Sequence, residues 1–150
     1  MAQEIEQMNN TTTEAMEAVV NNTTTEATEA VVNNYRCICT MDISTFDGKR
    51  AIINARNTAT SLASLGDKPL TVTGAYVTPG VRSQTGQKCA NVYLFAKDGK
   101  TYFSQSEGIY RSVLDIFDMF PGFNAPDGLT VVVKQTALGG GRSLKSLEIK

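Results

Sequence analysis

Tyr93, Phe95 and Tyr102 lie on either side of the dipeptide Asp98-Gly99 in the segment NVYLFAKDGKTYFSQ, and Lys97 and Lys100 flank that dipeptide. Asp-Gly favours tight hairpin turns, and a two-residue turn sets Phe95 opposite Tyr102, Leu94 opposite Phe103 and Tyr93 opposite Ser104. Because side chains alternate between the faces of a strand, Val92, Leu94 and Phe103 then share an aliphatic-rich face. Tyr93, Phe95 and Tyr102 make an aromatic platform on the other. Nucleic-acid bases stack on such rings at roughly 1–3 kcal/mol each without regard to sequence, while neighbouring cations hold the phosphates. The competing role for these rings is a core beneath a helix or a second hairpin, and a one-residue shift of the turn exchanges the two faces.

Cations that could serve the same chemistry stand in two connectors. Arg82 and Lys88 fall within residues 79–90, and Arg142, with Lys145 just beyond it, ends the ALGGGR segment. Catalysis has fewer means. The chain holds no histidine, which removes the commonest general base, the usual partner of a nucleophilic Ser or Cys, and the commonest metal ligand. Its carboxylates are scattered singly, so no enzymatic activity is expected. Cys37 and Cys39 would share one face of a strand and Cys89 could join them, but a structural zinc site takes four ligands; neither a metal nor another cofactor is expected. Gly139-Gly140-Gly141-Arg142-Ser143 lacks the Gly-Lys-Ser/Thr helix start of a phosphate-cradling loop and reads as a hairpin tip.

The elements that must position these residues follow from periodicity. Residues 35–46 and 49–56 read as strands joined through Asp47-Gly48, and residues 57–68 as a polar connector with a helical turn at 61–65. Residues 69–78 form a strand with a glycine, Gly74, where a strand bulges or bends. After the long loop 79–90 come strands at 91–96 and 101–105. The one strong helix spans 107–120, with Ser106 as N-cap, Pro121 as terminator and an apolar face of Ile109, Tyr110, Val113, Leu114, Phe117 and Phe120. Residues 129–136 and 143–149 make a last hairpin.

Ahead of these stands an imperfect repeat, NNTTTEAMEAVV at 9–20 followed by NNTTTEATEAVV at 21–32. Each copy carries a Thr-x-x-Glu capping box but is too short for a stable helix alone, so residues 1–34 read as a flexible tail. Charge divides at the same place. The tail holds Glu4, Glu6, Glu14, Glu17, Glu26 and Glu29 with no basic residue, leaving nine acidic groups and all 14 basic ones to residues 35–150. A body of net +5 beside a tail of −6 suits a polyanionic ligand for which the tail could compete. The chain of 150 residues supports one such domain; no apolar run is long enough for a membrane helix and no signal peptide is apparent, so the cytoplasm is expected. An odd cysteine count agrees with a reducing compartment and free thiols.

From residue 69 the order is strand, strand, strand, helix, strand, strand. That is the order of an OB-fold, a five-stranded barrel with one helix between strands three and four. Here it would be mainly β, with an added N-terminal hairpin and the tail. Such barrels bind oligonucleotides and oligosaccharides on strands two and three and with the loops corresponding to 79–90 and 137–142. The segments INARNTATSLASLGDKPLTVTGAYV, NVYLFAKDGKTYFSQSEGIYRSVLDIF and LTVVVKQTALGGGRSLKSLEIK, in that order, resemble the single-stranded DNA-binding proteins of bacteriophages infecting Gram-positive bacteria. The resemblance covers residues 35–150. It implies sequence-independent coating of single strands during phage DNA replication, with single-stranded DNA and replication proteins as partners. Bacterial proteins of that function carry an acidic partner-binding tail at the C-terminus, whereas the acidic segment here is N-terminal. A second reading, from another class, is a non-catalytic structural or protein-interaction module whose aromatics and tail face another protein. On the first reading the DNA-binding set is Tyr93, Phe95, Tyr102, Arg82, Lys88, Lys97, Lys100, Arg142 and Lys145.

Overall fold

The computed structural model describes residues 28–32, 34–123 and 125–150. Among them eight strands form one mixed sheet. Strands β1 (Thr28–Val32) and β2 (Tyr35–Cys39) are followed by helix α1 (Phe46–Thr58), the short strand β3 (Thr60–Ser61) and a 3₁₀ turn at Leu62–Leu65. Strands β4 (Leu70–Val81), β5 (Lys88–Ala96) and β6 (Thr101–Ser104) lead to helix α2 (Glu107–Met119), and β7 (Leu129–Gly139) and β8 (Arg142–Ile149) end the chain. No helix among the described residues is long and apolar enough to cross a membrane.

Strand β4 organises the sheet because it is long enough to pair with three others. One stretch meets β7 at Leu70–Val131, the next meets β2 at Tyr76–Cys39, and β5 runs along its other side from Val72–Ala96 to Val81–Lys88. The register breaks between Val72 and Gly74, the bulge that the mid-strand glycine predicts. A Cβ on Gly74 would collide with Thr40 Oγ1, whose hydroxyl accepts the Ala75 N–H at 2.9 Å. Glycine is therefore required by this close approach.

The expected closed barrel is not formed. β7 pairs with β4 and β8, but β8 does not pair with β6, whose outer edge instead takes β3 in parallel through Thr60–Tyr102 and Ser61–Phe103. The free edge of β8 meets α2. Gly108, in the first turn of α2, lies against the Lys145 carbonyl so closely that a Cβ would overlap that oxygen, and one turn on Ser112 Oγ accepts the Leu147 N–H at 3.0 Å. The helix itself forms as its sequence predicts: Ser106 Oγ accepts from the Ile109 N–H at 3.4 Å, and Ile109, Tyr110, Val113 and Phe117 are buried, joined by Ile116. They pack on Ile38, Val72, Val77, Val92, Leu94 and Val131, the centre of the main core, each such side chain contributing about 1.5–3 kcal/mol by burial. Arg36 of β2 clamps the far end of α2 through two bonds to Asp118, at 2.6 and 2.9 Å. That guanidinium holds the Asp118 carboxyl below its ordinary range.

Two local expectations are corrected. Residues 46–58 are helix α1, so the expected hairpin of 35–46 and 49–56 does not exist; Thr45 caps the helix by accepting the Gly48 N–H at 3.0 Å, and Asp47 lies in the first turn, where a carboxylate is favoured. Asp47-Gly48 starts a helix here because Gly48 can press onto the Asp42 carbonyl, a place with no room for a Cβ. Second, the boundary at residue 34 is too late. Residues 28–32 pair with β2 from Thr28–Cys39 to Val32–Tyr35. The expected flexibility of residues 1–27 lies outside the described residues.

Candidate nucleic-acid interface

The β5–β6 hairpin turns through three residues. Ala96 N–H donates to the Lys100 carbonyl at 2.9 Å, Gly99 N–H to the Ala96 carbonyl at 3.0 Å, and Gly99 adopts φ 87°. A turn followed by a left-handed glycine is the three-residue hairpin loop with a bulge, and it moves the register by one relative to a two-residue turn. Leu94 is opposite Tyr102 and Tyr93 opposite Phe103. The faces expected for the β6 aromatics are thus exchanged: Tyr102 joins Val92 and Leu94 in the main core, while Phe103 joins Tyr93 and Phe95.

On that second face the rings run across three strands. Tyr76 stacks on Tyr93 with centroids 5.7 Å apart, and Tyr93 contacts Phe103 at 5.1 Å, spacings at which aromatic pairs are attractive. Helix α1 covers part of this ladder. Ala55 is buried against Tyr93 and Phe95, with Ile52, Ala59 and Met41 beside it, so both rings are only 7% exposed. An open platform of Tyr93, Phe95 and Tyr102 is therefore absent. Burial pushes the Tyr93 phenol up, and the Arg56 guanidinium of α1 opposes that rise. Phe103 and Tyr76 are half-buried.

Beside Phe103, between β6 and β8, lies a groove of about 500 Å³. Arg82, Phe103, Ser106, Gly108, Leu144 and Lys145 are among its lining residues. Three local features place them there. The β4–β5 loop begins at Arg82, whose guanidinium donates to the Gln105 carbonyl at 3.1 Å and is thereby drawn over the end of β6. Gln105 in turn donates to Asn91 Oδ1 at 2.8 Å. Gly108 brings the first turn of α2 against β8, which puts the positive end of a helix beside two cations. Glu107 also lines the groove and is bonded to Arg111 at 3.3 Å, so part of its charge is turned along the helix.

The structure therefore brings together Arg82 and Lys145 of the expected set. Lys100 lines a different cavity, of about 420 Å³, shared with Phe95, Thr101 and the Ala51–Thr58 side of α1. Lys97 pairs with Asp127 at 3.9 Å. Lys88 is exposed at the start of β5, where its carbonyl accepts the Tyr35 hydroxyl at 3.2 Å, and Arg142 is exposed beyond the groove at the tip of β7–β8. Phe103, Tyr76, Gln105 and Arg56 were not in that set. The signal that finds Phe103 is the three-residue alternative for Lys97-Asp98-Gly99. Cys37, Cys39 and Cys89 are buried free thiols, and burial raises Cys39 to about 11. Family models, curated proteins and solved structures contain no match to this chain.

Proposed function

We propose that this protein binds single-stranded DNA without sequence preference, with the strand lying in the groove between β6 and β8. The observation that carries the proposal is the conjunction at that groove of a half-buried aromatic residue, Phe103, with Arg82, Lys145 and the start of α2. Rings and cations side by side are what an unpaired strand needs, the first for its bases and the second for its phosphates. From β4 to β8 the strand order is that of an OB-fold, and we read the sheet as such a barrel opened by α2 at the seam between its third and fifth strands. In that frame the groove lies on the third strand between the two connecting loops, where OB-folds take oligonucleotides. The resemblance to phage single-stranded DNA-binding proteins gives the same ligand and suggests coating during replication in a host cytoplasm. Exposed Phe46 and Ile53 on α1, at 76% and 58%, favour a second reading in which that helix meets a protein.

The test is a titration with oligo-dT and oligo-rU at low and high salt, followed by tyrosine fluorescence, since the chain has no tryptophan. Binding at low salt that weakens steeply as salt rises is expected, and the double variant Arg82→Ala, Lys145→Ala should lose most of it. Absence of low-salt binding, or full binding by the double variant, would overturn the proposal. Tighter binding to rU would reassign the ligand to RNA.

A further inference from the structure

The groove at Phe103 does not stop at Lys145. A second cavity, of about 600 Å³, adjoins it: Ala63, Val133 and Lys145 line both. Its position follows from the pairing of β7. The ladder between β4 and β7 runs only from Leu129 to Val131 of β7, because β4 begins at Leu70. Beyond Val131, the four consecutive residues Val132 to Gln135 all line the cavity, together with Gly66, Asp67 and Pro69 from the segment that precedes β4. Side chains of a strand alternate between its faces, so a cavity that meets four in a row runs along the edge of β7 and not over one face.

Lys134, Lys145 and Lys150 of the last hairpin reach this cavity. Lys145 is opposite Gln135, and Lys150 extends the ladder by donating its N–H to the Thr130 carbonyl at 2.8 Å. At about 3.3 Å per residue, the two lie about 17 Å apart along the strand. They leave the hairpin on opposite faces, since their numbers differ by an odd count, and both meet the cavity because it lies at the edge. Carboxylates offset part of this charge. Glu148 holds the Lys134 ammonium at 3.3 Å, and exposed Asp67 lines the cavity itself. Lys145 and Lys150 then face one carboxylate. Among the described residues the lining carries no aromatic side chain. We propose, resting on the reading of the first groove as a single-stranded DNA site, that the second cavity is a phosphate subsite. A strand whose bases meet Phe103 runs on past Lys145 along the edge of β7 and makes its last contact at Lys150. Having cations and no ring, this half adds phosphate contacts and salt dependence but no stacking. The interface thus has two unequal halves that share Lys145, and only a long strand occupies both.

The test is a titration of the full chain with oligo-dT of about four and about twelve nucleotides, within the range of roughly 4–16 that one OB-fold takes, followed by NMR chemical shifts so that weak binding is read as well. Longer DNA offers more registers and binds more tightly in any case, so the decisive readout is what each variant does at each length. Lys150→Ala should weaken the longer oligomer by roughly fivefold to tenfold at about 50 mM salt and lower its log–log slope by about 0.7, the value of one phosphate contact, while leaving the shorter one unchanged. Asp67→Asn should strengthen the longer oligomer alone. Phe103→Leu should cost both lengths the same factor, and amides of residues 132–135 should shift with the longer oligomer only. Lys150 is exposed and its bond to Thr130 is made by backbone, so the variant should keep its unfolding midpoint. Equal effects of Lys150→Ala at both lengths, or none at either, would overturn the subsite and leave the first groove standing. Failure of both lengths to bind the unaltered protein would remove the groove reading and the subsite with it.

Discussion

Tyr102 and Phe103 are adjacent, and the turn before them decides which one lies in the main core and which in the second cluster. Phe103→Leu keeps an apolar side chain in the second cluster but removes the aromatic face, so oligo-dT affinity should fall by about 1–3 kcal/mol with the unfolding midpoint little changed. Tyr102→Ala should instead destabilise the fold by roughly 3–5 kcal/mol, as large-to-small changes in a core do; a denaturant melt of each variant separates the two. Either outcome reversed would return the ligand face to Tyr102. Cys39 supplies a second test. Its thiol stays neutral in the folded protein to about 11 while an unfolded thiol ionises from 9.0, so this contribution is present below 9.0 and lost as pH rises toward 11. Stability should drop on the order of 2 kcal/mol across that window, and Cys39→Ala should flatten the drop. The alternation within β5 was legible from sequence, as was its alternative partnering; what was not legible was the loop, because Asp98-Gly99 suits both a two-residue turn and a three-residue one.

At the scale of elements, α2 was readable from end to end and α1 was not. α2 has Ser106 before it, Pro121 after it and a broad apolar stripe, all local signals. α1 presents Ile52-Ile53, a pair that resembles a strand, and turns only Ala55 and the partly buried Ile52 onto the second cluster, with Ala59 just past its end, a spacing that has meaning only once Tyr93 and Phe95 are known to lie beneath. The repeat misled for a related reason. Its capping boxes are genuine helix signals, but β2 offers residues 28–32 a partner edge that no local pattern records. The contact of α2 with β8 can be tested directly. Gly108→Ala would improve helix propensity, yet its methyl would strike the Lys145 carbonyl, so the variant should be destabilised by about 1–3 kcal/mol in thermal or urea unfolding. A stabilised variant would show that the helix and β8 can move apart freely.

Over the whole molecule, the charge division leaves residues 35–150 at net +5, a charge that would attract a polyanion. Arg82→Ala and Lys145→Ala should each lower the log–log salt slope of oligo-dT binding by about 0.7, the value for one phosphate contact on a single strand. Lys134, bonded to Glu148 at 3.3 Å and outside the groove, should leave the slope unchanged when replaced by Ala. An equal fall for all three would mean that the ligand answers to net charge alone.

The gap between β6 and β8 also has a mechanical consequence. The ladder that runs from β6 through β5, β4 and β7 to β8 does not close on itself. An occupant touching Phe103 on one bank and Lys145 on the other would bridge two parts of the sheet that no hydrogen bond joins. It would act as the missing tie of a split ring, so heat resistance should rise with ligand concentration as mass action requires.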